Sequence, residues 1–119
     1  MGLLGILKGL FGPPVPTLSA AEALERIGQA DVVFVDVREP DEHQDGGIPG
    51  ALRLPLVSGV LYERWAELPR ERDLILYCRS GIRSKAAARF LLGKEYSRIF
   101  NLRGGFMAYA RLADAKIQR

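Results

Sequence analysis

Short apolar runs alternate along this chain with segments of helical periodicity. Residues 32–35 (Val-Val-Phe-Val) and 74–77 (Leu-Ile-Leu-Tyr) are continuous and rich in β-branched or aromatic side chains. Such runs are typical of strands that are buried on both faces, and buried strands joined by helices form parallel sheets. The pattern therefore predicts an α/β fold with a mostly parallel central sheet and helices on both faces.

The connecting segments carry helix and turn signals. Ser19 and Glu22 form a predicted capping box, and Gly28 ends the helix that follows. Further helices are predicted at residues 58–68, at 83–92 and from Gly105 to about Ala115, with one helical turn at 40–44 and short strands at 51–54 and 99–102.

The length of the chain predicts one domain. Its 119 residues fall below the ~150 residues of a typical domain. Hydrophobic residues make up 48% and charged residues 26%, which excludes a disordered chain. We predict a domain over residues 17–119, preceded by an apolar extension and a Pro-rich linker over residues 1–16.

The first twelve residues, MGLLGILKGLFG, are too few to span a bilayer, which takes ~20 residues. An uncharged start and the interruption at Lys8 argue against a signal peptide. A short amphipathic helix that packs on the domain or on a partner is favoured, and weak contact with a membrane surface is the alternative. Without a signal or a transmembrane segment, a cytoplasmic location is expected.

Cysteine and histidine each occur once. One cysteine excludes a disulfide within the chain, and the two residues together cannot supply the about four ligands of a structural zinc site. We therefore expect no structural zinc site.

Charge is distributed unevenly around the cysteine. Residues 1–75 have a net charge of −5, whereas residues 76–103 contain seven basic groups and one acid. This concentration predicts a local anion site rather than a nucleic-acid surface, because the segment has no aromatic residues spaced for base stacking.

Cys78 lies directly after a predicted buried strand and before a helix. The loop amides and the helix start favour negative charge there, and Arg79 and Arg83 add full positive charges. Gly81 permits a backbone geometry that side chains resist. A cysteine in this position is expected to have a lowered pKa and to act as a thiolate nucleophile. The alternative is a small buried hydrophobic residue.

Three ordered segments resemble the single-domain rhodanese family. The first is Asp36-Val-Arg-Glu39-Pro with Asp41-Glu42 and Gly46-Gly-Ile-Pro-Gly-Ala51. The second is the loop Tyr77-Cys-Arg-Ser-Gly-Ile-Arg-Ser84, and the third is Asn101-Leu-Arg-Gly-Gly105 with Ala108-Tyr109. The resemblance extends from about Thr17 to Ala113. Gly47 and Tyr109 depart from it, since the family usually has histidine and tryptophan there.

The resemblance implies a sulfurtransferase that works through a persulfide on Cys78, without a metal or an organic cofactor. A small anionic donor such as thiosulfate would load the sulfur, and a thiol or cyanide would remove it. The resemblance assigns binding of the donor and the persulfide to the loop residues Arg79, Ser80, Gly81, Ile82, Arg83 and Ser84.

Four further residues are expected to support this loop. Asp36 is expected to accept hydrogen bonds from loop amides. Arg38 either reaches the site or forms an ion pair with a neighbouring acid. Gly104 and Gly105 are expected to allow close approach of the backbone to the loop.

Other functions remain open from the sequence. The protein could carry persulfide sulfur from a cysteine desulfurase to a sulfur-acceptor protein, or it could serve as a rhodanese-like interaction module. A Cys-dependent phosphatase or arsenate reductase is disfavoured, because such phosphatases resemble C-x₅-R and only four residues separate Cys78 from Arg83.

Overall fold

A five-stranded parallel sheet organises the protein, in a computed structural model that describes residues 14–117. The strands are β1 (Thr17–Leu18), β2 (Val32–Asp36), β3 (Leu52–Arg53), β4 (Asp73–Tyr77) and β5 (Ile99–Leu102). Their order across the sheet is β1-β5-β4-β2-β3, and every adjacent pair is parallel. The predicted parallel α/β architecture is confirmed.

Four α-helices and two 3₁₀ helices accompany the strands within residues 14–117, and the last α-helix follows β5. They are α1 (Ala20–Glu25), α2 (Val60–Arg64), α3 (Ile82–Gly93) and α4 (Gly105–Ile117), with 3₁₀ helices at Pro40–Asp45 and Trp65–Glu67. The predicted capping box is present, since the amide of Glu22 donates to Ser19 Oγ at 3.1 Å and the amide of Ser19 donates to Glu22 Oε1 at 3.0 Å. Within residues 14–117, no helix combines the length and apolarity that crossing a bilayer requires.

The helix predicted over residues 58–68 is shorter than expected and is divided into an α-helix and a 3₁₀ helix. Gly59 has a left-handed φ of 90°, so the α-helix begins only at Val60. Arg64 leaves the helical region with φ −116° and ψ 9°, and the chain continues as a 3₁₀ turn. Leu68 is extended because it precedes Pro69, which disfavours helical geometry in the residue before it.

The edge strand β1 was not predicted, because two residues are too few to give a periodicity. It is fixed by hydrogen bonds to β5: the amide of Asn101 donates to the Pro16 carbonyl, and the amide of Arg103 donates to the Leu18 carbonyl, both at 2.8 Å. Val15 also packs against the core. The helix expected in the first twelve residues lies outside the described part of the chain.

Alternate residues of β4 serve two separate cores. Leu74 and Leu76 face the core that α2 and α3 cover, whereas Ile75 and Tyr77 face the core that α1 and α4 cover. This alternation follows from the two-residue period of a strand. It confirms that helices cover both faces of the sheet.

A buried ion pair lies at the carboxyl end of β2. Arg38 Nη2 and Nε donate to the carboxylate of Asp36 at 2.8 and 3.0 Å, and both residues are 1% exposed. The hydroxyl of Tyr77 donates to the same carboxylate at 2.9 Å and accepts from the amide of Ile48 at 3.1 Å. Arg38 also donates to the carbonyl of Gly46 at 2.7 Å. This cluster joins β2, β4 and the loop before β3.

We expect Asp36→Asn to lower the free energy of unfolding by about 3–5 kcal/mol, because it leaves the buried guanidinium of Arg38 without its countercharge. Urea denaturation measures the change. Asp31→Asn is the matched control: its carboxylate lies 3.8 Å from Arg26 but is 63% exposed, so a change within about 0.5 kcal/mol is expected. An equal loss in the two variants would contradict this account.

Candidate active site

Cys78 immediately follows β4, at the edge of the sheet where the parallel strands end. Its side chain is 1% exposed. The chain then turns through Arg79, Ser80 and Gly81, and α3 begins at Ile82. The amide of Gly81 donates to the Cys78 sulfur at 3.1 Å. The loop therefore directs an N–H group at the sulfur, as the sequence predicts.

Ser84 and Asn101 complete the surroundings of the sulfur. Ser84 Oγ lies 3.5 Å from Cys78 Sγ and 2.6 Å from Asn101 Oδ1. The other end of the amide, Asn101 Nδ2, donates to the carbonyl of Gly81 at 3.1 Å. One side chain from β5 thus holds two of the residues that donate to the sulfur, Ser84 and Gly81.

The Ser84 hydroxyl has one hydrogen and two neighbouring acceptors. While Cys78 is a thiol, its S–H can donate to Ser84 Oγ, and Ser84 can donate to Asn101. Once Cys78 is a thiolate, the hydroxyl hydrogen is best directed at the sulfur, because hydrogen bonds to charged acceptors are stronger. The hydroxyl can therefore adapt to either protonation state of the cysteine.

Opposing effects act on the pKa of Cys78. Burial raises the pKa of the thiol, but hydrogen bonds from the Ser84 hydroxyl and amide and from the Gly81 and Ser80 amides outweigh it, and the pKa lies below its ordinary value. The predicted direction is confirmed. A lowered pKa increases the fraction of thiolate, which is the nucleophilic form of cysteine.

The two arginines of the loop differ in their surroundings. Arg83 forms two hydrogen bonds to the carboxylate of Glu42, at 2.6 and 2.8 Å. These bonds outweigh the effect of burial and lower the pKa of Glu42 to about 2. Arg79 is exposed, has no ion pair within residues 14–117, and lines a cavity of about 270 Å³ that the acidic residues Glu42, Asp45 and Asp114 also border. Arg79 is thus the freer charge, while Arg83 is shared with Glu42.

Gly105 brings the start of α4 against the cysteine loop. Its φ is +59°, and a Cβ there would lie 2.5 Å from the Cys78 carbonyl oxygen. The next amide, that of Phe106, donates to the same carbonyl at 2.8 Å. The expected close approach is confirmed at Gly105. At Gly104 a Cβ would instead meet Ala108 of α4, at 2.8 Å.

Asp36 and Arg38 support the site from a distance. Asp36 Oδ1 accepts from the amide of Arg38 at 3.0 Å, as expected for a residue that binds loop amides. Of the two alternatives for Arg38, the structure favours the ion pair with a neighbouring acid. Tyr77 connects this pair to the site, because it directly precedes Cys78.

Sequence reasoning assigned no role to Asn101 or Glu42. Asn101 is 5% exposed, a polar side chain in an otherwise apolar strand run, and that contrast was an available signal. Glu42 belongs to the first segment of the family resemblance, but its pairing with Arg83, 41 residues away in the chain, gave no signal. The side chain of Ile82 is 78% exposed, so only its backbone can contribute to the loop.

Comparison with known sequences identifies the family. Residues 19–112 match the Rhodanese-like domain. The chain belongs to the rhodanese-like family. A protein named "Sulfurtransferase" from Allochromatium vinosum is 47% identical over 81 residues, which cover 68% of this chain and 74% of that protein. "Thiosulfate sulfurtransferase GlpE" from Pseudoalteromonas translucida is 31% identical over 86% of this chain and 95% of that protein.

A solved structure has the same fold. The rhodanese-related protein from Thermoplasma volcanium matches with a TM-score of 0.71 and 31% identity, over 81% of this chain and 91% of that chain. The rhodanese-like sheet and its helices are therefore shared along nearly the whole length of that neighbour.

Removal of the Ser84 hydroxyl is expected to raise the pKa of Cys78. In Ser84→Ala the Cys78 thiolate loses one hydrogen bond, so the curve of alkylation rate against pH moves to higher pH. Iodoacetamide labelling followed by mass spectrometry measures the rate of Cys78 alkylation at each pH. At mildly acidic pH this rate is expected to fall several-fold in the variant.

Ser80→Ala is the matched control, because it removes a hydroxyl from the same loop but leaves the Ser80 amide that acts on the sulfur. Its profile is expected to coincide with that of the wild type. A similar displacement in both variants would show that the hydroxyl of Ser84 has no particular part in stabilising the thiolate.

Gly105→Ala is expected to destabilise the protein and to displace the cysteine loop. The left-handed backbone alone costs an L-residue about 1–2 kcal/mol, and the contact with the Cys78 carbonyl adds to this. Gly93→Ala is the control, since a Cβ there meets nothing within 4 Å. Chemical denaturation measures the stability of the two variants, and the rate of Cys78 alkylation reports displacement of the cysteine loop. Unchanged stability in Gly105→Ala would refute the close approach.

Proposed function

We propose that this rhodanese-like protein is a sulfurtransferase that carries a sulfane sulfur on Cys78. The donor is thiosulfate or a similar small anion, and the acceptor is a thiol or cyanide. The observation that carries the proposal is the thiol itself: Cys78 is buried, yet amides and a hydroxyl lower its pKa. The names of the sulfurtransferase relatives support the same assignment.

Loading of the sulfur is a displacement at sulfur. The Cys78 thiolate attacks the outer sulfur of thiosulfate, a new S–S bond forms, and the S–S bond of thiosulfate breaks. The electron pair of that bond leaves with sulfite. Charge is conserved, because a thiolate and a thiosulfate dianion become a persulfide anion and a sulfite dianion.

The loop is suited to the persulfide anion. The amides of Ser80, Gly81 and Ser84 already act on the sulfur of Cys78, and they favour negative charge on a persulfide formed there. Arg79 supplies an unpaired charge to attract the donor, and Arg83 contributes while it remains bonded to Glu42. Ile82 contributes through its backbone.

Unloading requires an external acceptor. The chain has one cysteine, so the persulfide cannot be released by forming an internal disulfide. An acceptor thiolate attacks the outer sulfur, the S–S bond to Cys78 breaks, and Cys78 returns as a thiolate. A protein donor such as a cysteine desulfurase, or a protein acceptor, would use the same chemistry, and the chain would then act as a carrier.

Phosphatase chemistry and a purely binding role are less consistent with the site. Four residues separate Cys78 from Arg83, and the Arg83 guanidinium is bound to Glu42 instead of facing an open phosphate cradle. A binding module has no need of a thiol whose pKa is lowered by its loop. Hydrolysis of a phosphate ester by the purified protein would reverse the first conclusion.

Intact mass after incubation with thiosulfate tests the proposal. The wild type is expected to gain the mass of one sulfur atom, which cyanide removes as thiocyanate, and Cys78→Ser is expected to gain nothing. Circular dichroism confirms that the variant is folded. No gain in the wild type with either thiosulfate or a persulfidated cysteine desulfurase would overturn the sulfurtransferase assignment in favour of the binding module.

A further inference from the structure

The seven basic residues of the segment 76–103 differ in whether they have a partner in the structure. Arg83 and Arg98 form ion pairs with carboxylates, and the ammonium of Lys94 lies 5.2 Å from the centroid of the Trp65 ring. Within residues 14–117, the remaining four cations of the segment form no ion pair. They are Arg79, Lys85, Arg89 and Arg103.

Three of these free cations line one groove. Lys85, Arg89 and Arg103 border a depression of about 630 Å³ that also includes Ser80 and Gly81 of the cysteine loop. Among the described residues that line it, none is acidic. We call this depression the basic groove. It begins at the loop whose Gly81 amide donates to the Cys78 sulfur at 3.1 Å.

The charges of the basic groove are not compensated from within the described domain. Lys85 and Arg103 are exposed, and the buried Nε of Arg89 has no hydrogen-bond partner among residues 14–117. Glu22 faces Arg103 from α1, but the pKa of Glu22 is lowered chiefly by Ser19 and only weakly by Arg103. Like charges gathered in one concave surface attract an anionic partner.

The groove also presents an apolar side chain beside the cysteine loop. Ile82 lies on its wall and is 78% exposed. No aromatic side chain lines the groove in the described part of the chain, so it has no platform for stacking nucleic-acid bases. An exposed apolar residue among cations fits a protein surface on which carboxylates surround an apolar contact.

We infer that the basic groove docks an acidic segment of the protein that exchanges sulfur with Cys78. This inference rests on the proposed function and names the class of its partner. The docked segment presents a cysteine thiolate to the Cys78 persulfide; the thiolate bonds to the outer sulfur, the bond to Cys78 breaks, and the partner leaves as a persulfide.

Peptide thiols of defined charge test the inference. Protein loaded with thiosulfate is mixed with peptides in which tetraglutamate, tetraglutamine or tetralysine precedes Gly-Cys, and mass spectrometry follows transfer of the sulfur. At low ionic strength the acidic peptide is expected to accept sulfur about tenfold faster than the neutral one, and added salt is expected to remove the difference.

Charge reversal in the groove is the decisive variant. Lys85→Glu with Arg89→Glu is expected to abolish the preference for the acidic peptide while transfer to neutral dithiothreitol continues. Arg53→Glu with Arg72→Glu changes the net charge equally at sites outside the groove and is expected to retain the preference. If the first double variant does not fold, Lys85→Glu alone is used, because Lys85 is exposed.

The outcomes separate the inference from the proposed function. Transfer to dithiothreitol without any preference among the peptides would overturn the docking inference and leave the sulfurtransferase intact. If both double variants lose the preference for the acidic peptide, that preference arises from the net charge of the protein, which would also overturn the inference. Stronger inhibition of transfer by single-stranded oligouridylate than by a cysteine-free polyglutamate of equal charge would reassign the groove to nucleic acid. Failure to load sulfur at all would contradict the proposed function instead.

Discussion

Parallel pairing of β4 with β2 and β5 determines where Cys78 and the polar groups around it lie. Parallel strands end at one edge of the sheet, so Asp36, Tyr77 and Asn101 are brought together although they are distant in the chain. Each of these residues then holds a different part of the chain at the carboxyl ends of the strands. Asp36 and Tyr77 anchor the chain immediately before Cys78, and Asn101 holds the loop that follows.

The cysteine itself reflects a balance between burial and hydrogen bonding. Removal of a sulfur from water favours the neutral thiol, whereas the donors of the loop favour the anion, and the donors prevail. The two effects depend on each other. Burial excludes water that would weaken the hydrogen bonds, and the hydrogen bonds offset the cost of burying a thiolate.

Much of this arrangement follows from local sequence, and the rest depends on contacts across the fold. The buried runs and the capping box at Ser19 predicted the sheet and α1, because both signals are confined to a few neighbouring residues. The strand β1 is too short for such a signal. The bond between Glu42 and Arg83 joins residues that only the folded chain makes neighbours, so no spacing rule could reveal it. Asn101 lies between these cases, since its polarity in an apolar run was visible but its partners were not.

The bond between Glu42 and Arg83 also has a consequence for how the family can vary. Loss of the carboxylate alone would leave an uncompensated guanidinium beside the thiolate, and loss of the guanidinium alone would place an unpaired anion there. Either single change alters the local charge by one unit, whereas a paired change preserves it. A change that keeps the local charge must therefore alter both positions together, although they lie in two separate segments of the sequence.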